Sequence, residues 1–130
     1  MMSFKYRAMR DGIGIAIDAT INIEIIHKDE SDNVPISILF NDNIPKTFKE
    51  SIPLIESTIN HYLHLFNSQI QNSILQVTFE EIETSPAHYQ VESFIGLTVM
   101  LLNEYFSINI PEPIYTRNPS IGKFVFELQD

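Results

Sequence analysis

Apolar side chains occupy every second position from Ile13 to Ile25, with Gly14, Ala16, Asp18, Thr20, Asn22 and Glu24 between them. A period of two predicts a β-strand with one buried and one wet face, and the β-branched isoleucines favour that conformation. The run is long for one strand, so a bend or bulge near Asp18 is expected. Val34, Ile36, Ile38 and Phe40 repeat the pattern, while Pro35, lacking a backbone donor, favours a strand start or an edge. The polar KDESDN segment between the two runs predicts that they pair as an antiparallel hairpin. Phe4, Tyr6 and Ala8 also alternate and predict an extended segment ahead of both.

Beyond the turn-rich NDNIP segment the period changes. Phe48, Ile52, Ile55, Ile59, Tyr62 or Leu63, Phe66 and Ile70 recur at steps of three and four, the spacing of an amphipathic helix. Ser51 is its expected N-cap, which puts Pro53 in the first turn, where a missing N–H costs little. Leu75, Val77 and Phe79 share one face of a strand over residues 74–82. Ser85-Pro86 reads as a cap followed by proline at the first helical position, opening a helix that runs to about Phe106. Residues 94–102 are apolar nearly all round, which predicts a central buried helix with Ile95 and Leu101 in the core and Gly96 at a close backbone approach. The proline-marked stretch 111–119 reads as a loop and 123–128 as a final strand. The order β-β-α-β-α-β predicts one α+β domain over residues 1–130. Its sheet is expected to be mainly antiparallel, with four to five strands and the two principal helices on one face.

Charge adds a direction to this outline. The chain of 130 residues carries a formal net charge of −9 and no cysteine, which excludes disulfides, thiolate nucleophiles and Cys-ligated zinc. No uninterrupted apolar leader and no stretch long enough to cross a bilayer as a helix stands out, so a soluble cytoplasmic protein is expected. The first ten residues hold Lys5, Arg7 and Arg10 and no carboxylate, whereas residues 50–116 hold eight glutamates and no Lys or Arg. A surface of that sign repels nucleic acid and anionic bilayers, neither of which is expected as a partner, and attracts a basic protein.

Catalytic motifs are weak. His61 and His64 lie three apart on the predicted first helix and could converge on one metal ion, but they lack the HExxH arrangement and a third ligand. His27 beside the charged turn and His88 near a helix start have no triad or dyad spacing. In a regular strand Glu81 and Glu83 share a face while Glu80 points away. Paired-carboxylate chemistry would also need a substrate cleft, so an acidic edge is the expectation. Asp29, Glu30 and Asp32 form a second acidic cluster without the glycine and twelfth-position carboxylate of a calcium loop. Gly12-Ile13-Gly14 lacks the third glycine of a dinucleotide loop. No catalytic residue, metal or cofactor is assigned. The candidate partner-binding residues are Asp29, Glu30, Asp32, Glu80, Glu81 and Glu83, with Tyr89 and Tyr115 as aromatic anchors.

In size, charge and texture, over its whole length, this acidic cysteine-free chain resembles the immunity proteins that protect bacteria from antibacterial toxins, those of contact-dependent growth inhibition included. The resemblance implies a non-catalytic protein that binds a cognate toxin domain, often a basic nuclease, and occludes its active site. Two other classes share part of the pattern. Small acidic secretion or effector chaperones do, although they usually open with a helix. An enzyme could assemble a site from His27, His61, His64 and the carboxylates.

Overall fold

The computed structural model describes residues 1–27 and 35–130. Strands β1 (Met2–Arg10) and β2 (Ile13–His27) form an antiparallel hairpin. Asp11 and Gly12 join them with φ of 54° and 75°, the left-handed conformations that let a two-residue turn follow the twist of its strands. The alternation of Phe4, Tyr6 and Ala8 is therefore a full strand, and it supplies the hairpin partner of β2.

The expected antiparallel hairpin between the 13–25 and 34–40 runs does not form. Strand β4 (Ser73–Glu83) lies between β2 and β3 (Ile36–Phe40), antiparallel to the first and parallel to the second, in the order β1-β2-β4-β3. Two physical reasons favour this arrangement. Leu75, Val77 and Phe79 are fully buried, and such a strand belongs at the centre of a sheet. A helix separates β3 from β4 in sequence, which is the crossover that parallel pairing requires. Pro35 precedes β3 at the sheet edge, and its carbonyl accepts the Leu75 N–H at 2.9 Å.

A 3-10 segment (Lys46–Ser51) leads into helix α1 (Ile52–Tyr62), with Pro53 in the first turn as expected. Ser51 does not cap it through its side chain; the hydroxyl instead donates back to the Phe48 carbonyl at 2.6 Å. The helix stops at Tyr62 rather than reaching Ile70, and short 3-10 turns bring Phe66 and Ile70 into the core. Helix α2 (Ser93–Phe106) begins later than Ser85. Pro86–His88 form an isolated 3-10 turn, and the Gln90 side chain is tied to the backbone of Phe124, donating at 2.6 Å and accepting at 2.8 Å. That clamp holds the segment against a strand instead of winding it into α2. The 111–119 stretch is not all loop: β5 (Ile114–Asn118) pairs with β6 (Lys123–Glu127) in a separate two-stranded sheet, so the last strand does not join the main one. Tyr115 packing edge-on to Phe124 and tilted to Phe126 gives that hairpin its apolar contact.

One buried cluster joins the inward residues of β1, β2 and β4 to Ile55, Ile59 and Tyr62 of α1 and to Phe94, Leu97, Leu101 and Leu102 of α2. Both helices thus lie on the isoleucine-lined face. Leu101 is fully buried as expected, but Ile95 is only half-buried, because α2 turns that position toward the surface. Gly96 is the close approach: a Cβ there would sit 2.1 Å from Cζ of Tyr6.

Candidate functional site

With both α-helices on one side, neither covers the other face of the four-stranded sheet; among the described residues only the short Pro86–His88 turn comes against β2, His88 lying near Arg7, Met9, Gly14 and Ala16. What it presents is decided by an irregularity in β4. Thr20 pairs with Glu81 and Ile21 pairs with Phe79, so Glu80 has no counterpart on β2. One extra residue reverses the face taken by every side chain that follows. Before the bulge Leu75, Val77 and Phe79 point inward; after it Glu81 and Glu83 face outward, in line with Thr20 and Asp18. A regular strand would have aimed both glutamates at the core side. The bend expected in the 13–25 run itself is absent: β2 continues unbroken from Ile13 to His27, and the extra residue opposite Thr20 and Ile21 belongs to β4.

Glu80 leaves the group. Its carboxylate accepts a hydrogen bond from the side-chain amide of Asn41, just past β3. Glu81 and Glu83 remain on the open face with Asp18 and Glu24 of β2, four carboxylates against Lys5 and Arg7 of β1. Asp18 sits directly opposite Glu83 on one side and Lys5 on the other. Like charges in opposed positions repel. Arg7 relieves part of this, its Nη1 lying 2.7 Å from Oδ1 of Asp18. Lys5, Asp18, Thr20, Glu81 and Glu83 line a shallow depression of about 210 Å³. A second, of about 250 Å³, lies among Arg7, Asp18, Glu83 and Ser85. Carboxylates spaced along neighbouring strands can accept hydrogen bonds from the ammonium or guanidinium groups of another protein.

The remaining candidates are placed elsewhere. Asp29, Glu30 and Asp32 lie outside the described residues. Tyr89 is half-buried on the helix side, edge-on to Phe48 at 5.3 Å and to Phe94 at 6.5 Å. Burial, with Glu50 and Glu92 adding to it, pushes its phenol up to about 12. Tyr115 joins the two hairpins: its ring lies 4.9 Å from the Arg10 guanidinium, and its hydroxyl accepts the Met9 N–H at 3.4 Å. Neither tyrosine stands beside the open-face carboxylates. His61 pairs with Asp130 at 3.1 Å, and His64 is exposed on the turn that follows α1. Among the described residues no group of three or more His, Asp or Glu side chains is placed to hold a metal ion.

Asp18, Glu24, Lys5 and Arg7 were not among the sequence candidates. Period two did place Asp18 and Glu24 on one face; their alignment with Glu81 and Glu83 depends on a bulge with no residue signature of its own. No family model matches this chain, and no curated protein is significantly similar to it.

Proposed function

We propose that this is a non-catalytic binding protein that holds a basic protein against the open face of its sheet. In its specific form the reading is of an immunity protein that occludes the active site of a cognate toxin domain. The observation that supports it is the alignment of Asp18, Glu24, Glu81 and Glu83 on the sheet face opposite the two α-helices, beside Lys5 and Arg7. A cationic partner would relieve the opposed Asp18 and Glu83 as it docks, so part of the repulsion held in the free protein becomes a contribution to binding. The overall charge of −9 adds long-range attraction, which raises the association rate and makes it salt-sensitive. Exposed ion pairs contribute little individually, so tight binding also requires a complementary, water-excluding centre.

The test is affinity capture from the source strain, followed by calorimetry with the recovered polypeptide and a protection assay against it. One basic polypeptide bound at defined stoichiometry, with the Glu81→Lys, Glu83→Lys double variant losing affinity and association rate, is the expected result. A partner whose binding is indifferent to that variant and to salt would rule out the face.

A further inference from the structure

β1 is an edge strand whose free edge is covered over only part of its length. The two-residue Asp11–Gly12 turn makes Arg10 and Ile13 the first hydrogen-bonded pair. Ala8, Tyr6, Phe4 and Met2 therefore direct their backbone groups at β2, while Met9, Arg7, Lys5 and Ser3 direct theirs away from it. The Met9 N–H agrees, since it reaches the hydroxyl of Tyr115, whose carbonyl in turn accepts from Nε of Arg10 at 3.3 Å. The β5–β6 hairpin thus closes the edge at its turn end. At the other end the backbone groups of Ser3 and Lys5 are bonded to no further element among the described residues.

Beside that open stretch lies an open groove of about 730 Å³, between Met2, Ser3 and Phe4 on β1 and Met100, Glu104 and Ile108 on and after α2. Met100 and Ile108 are half-buried apolar side chains that line this groove. Asn103 fixes the far wall, its side chain holding the Ile110 backbone by bonds of 3.0 and 2.7 Å. Helix α2 therefore extends beneath the place that a fifth strand would take.

We propose that this open half of the β1 edge receives an extended segment of a partner chain as an added strand. Its alternate apolar side chains seat on Met100 and Ile108, and short polar or acidic ones lie beside Lys5. Free N–H and C=O groups recurring at every second residue match an extended backbone and have no counterpart in a helix. The alternation of the incoming side chains follows from β1 itself, where Phe4 faces the groove side and Lys5 the open face. A second copy of the chain is the poorer occupant, because β1 against β1 sets Lys5 and Arg7 beside the same cations of the twin.

The probe is a capped heptapeptide, Glu-Val-Thr-Val-Glu-Val-Thr, titrated into the isotope-labelled full chain and followed by NMR. Slowed exchange of the Ser3 and Lys5 amides, with shifted Met2 and Met100 methyls, is expected. Lys5→Pro removes an outward N–H and leaves the ladder to β2 intact, a place where an edge strand tolerates proline. It should weaken the peptide by about tenfold or more, as loss of a backbone bond and its neighbours predicts. Met100→Gln, at a half-buried position, should weaken it without touching β1 at all and serves if the proline variant does not fold. Shifts confined to Glu81 and Glu83, or none at millimolar peptide, would overturn the proposal. So would concentration-dependent protection of Ser3 and Lys5 without peptide, which assigns the edge to a second copy.

Discussion

The two faces of the main sheet are made by the same strands and differ in almost everything else. On the inner face Ile17, Ile21, Leu75, Val77 and Phe79 are fully buried and meet the two helices. On the outer face their immediate neighbours in sequence, Ala16, Asp18, Thr20, Gln76 and Thr78, stay half-exposed, and two carboxylates stand directly opposite one another. Packing leaves little choice on the inner side, because an added or missing methylene is felt at once. The outer side is free of that constraint. Its residue types answer only to solvent, to their cross-strand neighbours and to whatever docks there. There Asp18 is paired with Arg7 at 2.7 Å and lies opposite Lys5, while Glu83 opposes it from the other strand.

The contrast should be sharpest in truncation experiments on the inner face. Phe79 stacks on Phe40 with ring centroids 4.9 Å apart and meets Phe94 edge-on at 5.7 Å. Phe79→Ala is expected to cost about 3–5 kcal/mol in chemical denaturation. Leu101→Ala belongs at about 2–5 kcal/mol, with half-buried Ile95→Ala clearly below it. Equal losses at the two helix positions would mean that α2 is rotated from the orientation described. Gly96→Ala is the converse case, a side chain too many, and should cost about 1–3 kcal/mol by pressing on Tyr6. A double-mutant cycle with Tyr6→Leu should recover part of that loss; strict additivity would show that the ring is not what excludes the methyl.

The same division explains what could be read from the residues alone. Alternation at 13–25 and at Leu75, Val77 and Phe79 announces its strands, because burial of one face leaves a period that solvent does not blur. Pairing partners leave no such mark. Adjacency in sequence favours a hairpin between 13–25 and 34–40, whereas the position of β4 between β2 and β3 depends on which strand can be driest. Ser85-Pro86 carries a local helix signal, but the long-range clamp of Gln90 on Phe124 overrides it and α2 starts at Ser93. At the candidate site, the glutamates of β4 were visible as residue types. Their separation into Glu80, held by Asn41, and the outward Glu81 and Glu83 comes from the bulge.

Alkaline pH tests the inner region without truncating it. Tyr89 packs against Phe48 and Phe94, and its phenol, pushed up to about 12, ionises later in the fold than at the ordinary value of 10.0 in the unfolded chain. Between those values the unfolded chain has lost the proton that the folded one retains. Stability present below pH 10 should therefore drain away as the pH rises toward 12. Solvent reaches this side chain, so the effect should be smaller than that of emptying the Phe79 site. Burial raises the phenols of Tyr6 and Tyr62 as well, so Tyr89→Phe should make the alkaline limb shallower without abolishing it. An unchanged limb would assign the alkaline loss to Tyr6 and Tyr62 instead.

The smallest effect expected has the opposite sign and belongs to the outer face. Removing the charge of Glu83 by Glu83→Gln relieves its repulsion with Asp18 and leaves the 2.7 Å contact between Asp18 and Arg7 in place. A gain of about 0.2–1 kcal/mol in thermal or chemical unfolding is expected, and it should shrink as salt is added. Asp18→Asn should not give the same gain, since it removes the repulsion and the attraction to Arg7 together. A loss on Glu83→Gln at low salt would mean that this carboxylate already has a partner within the fold, and the outer face would then be as self-sufficient as the inner one. A gain in stability combined with a slower association rate for the captured partner would tie the repulsion to binding, because one substitution would have moved the two quantities in opposite directions.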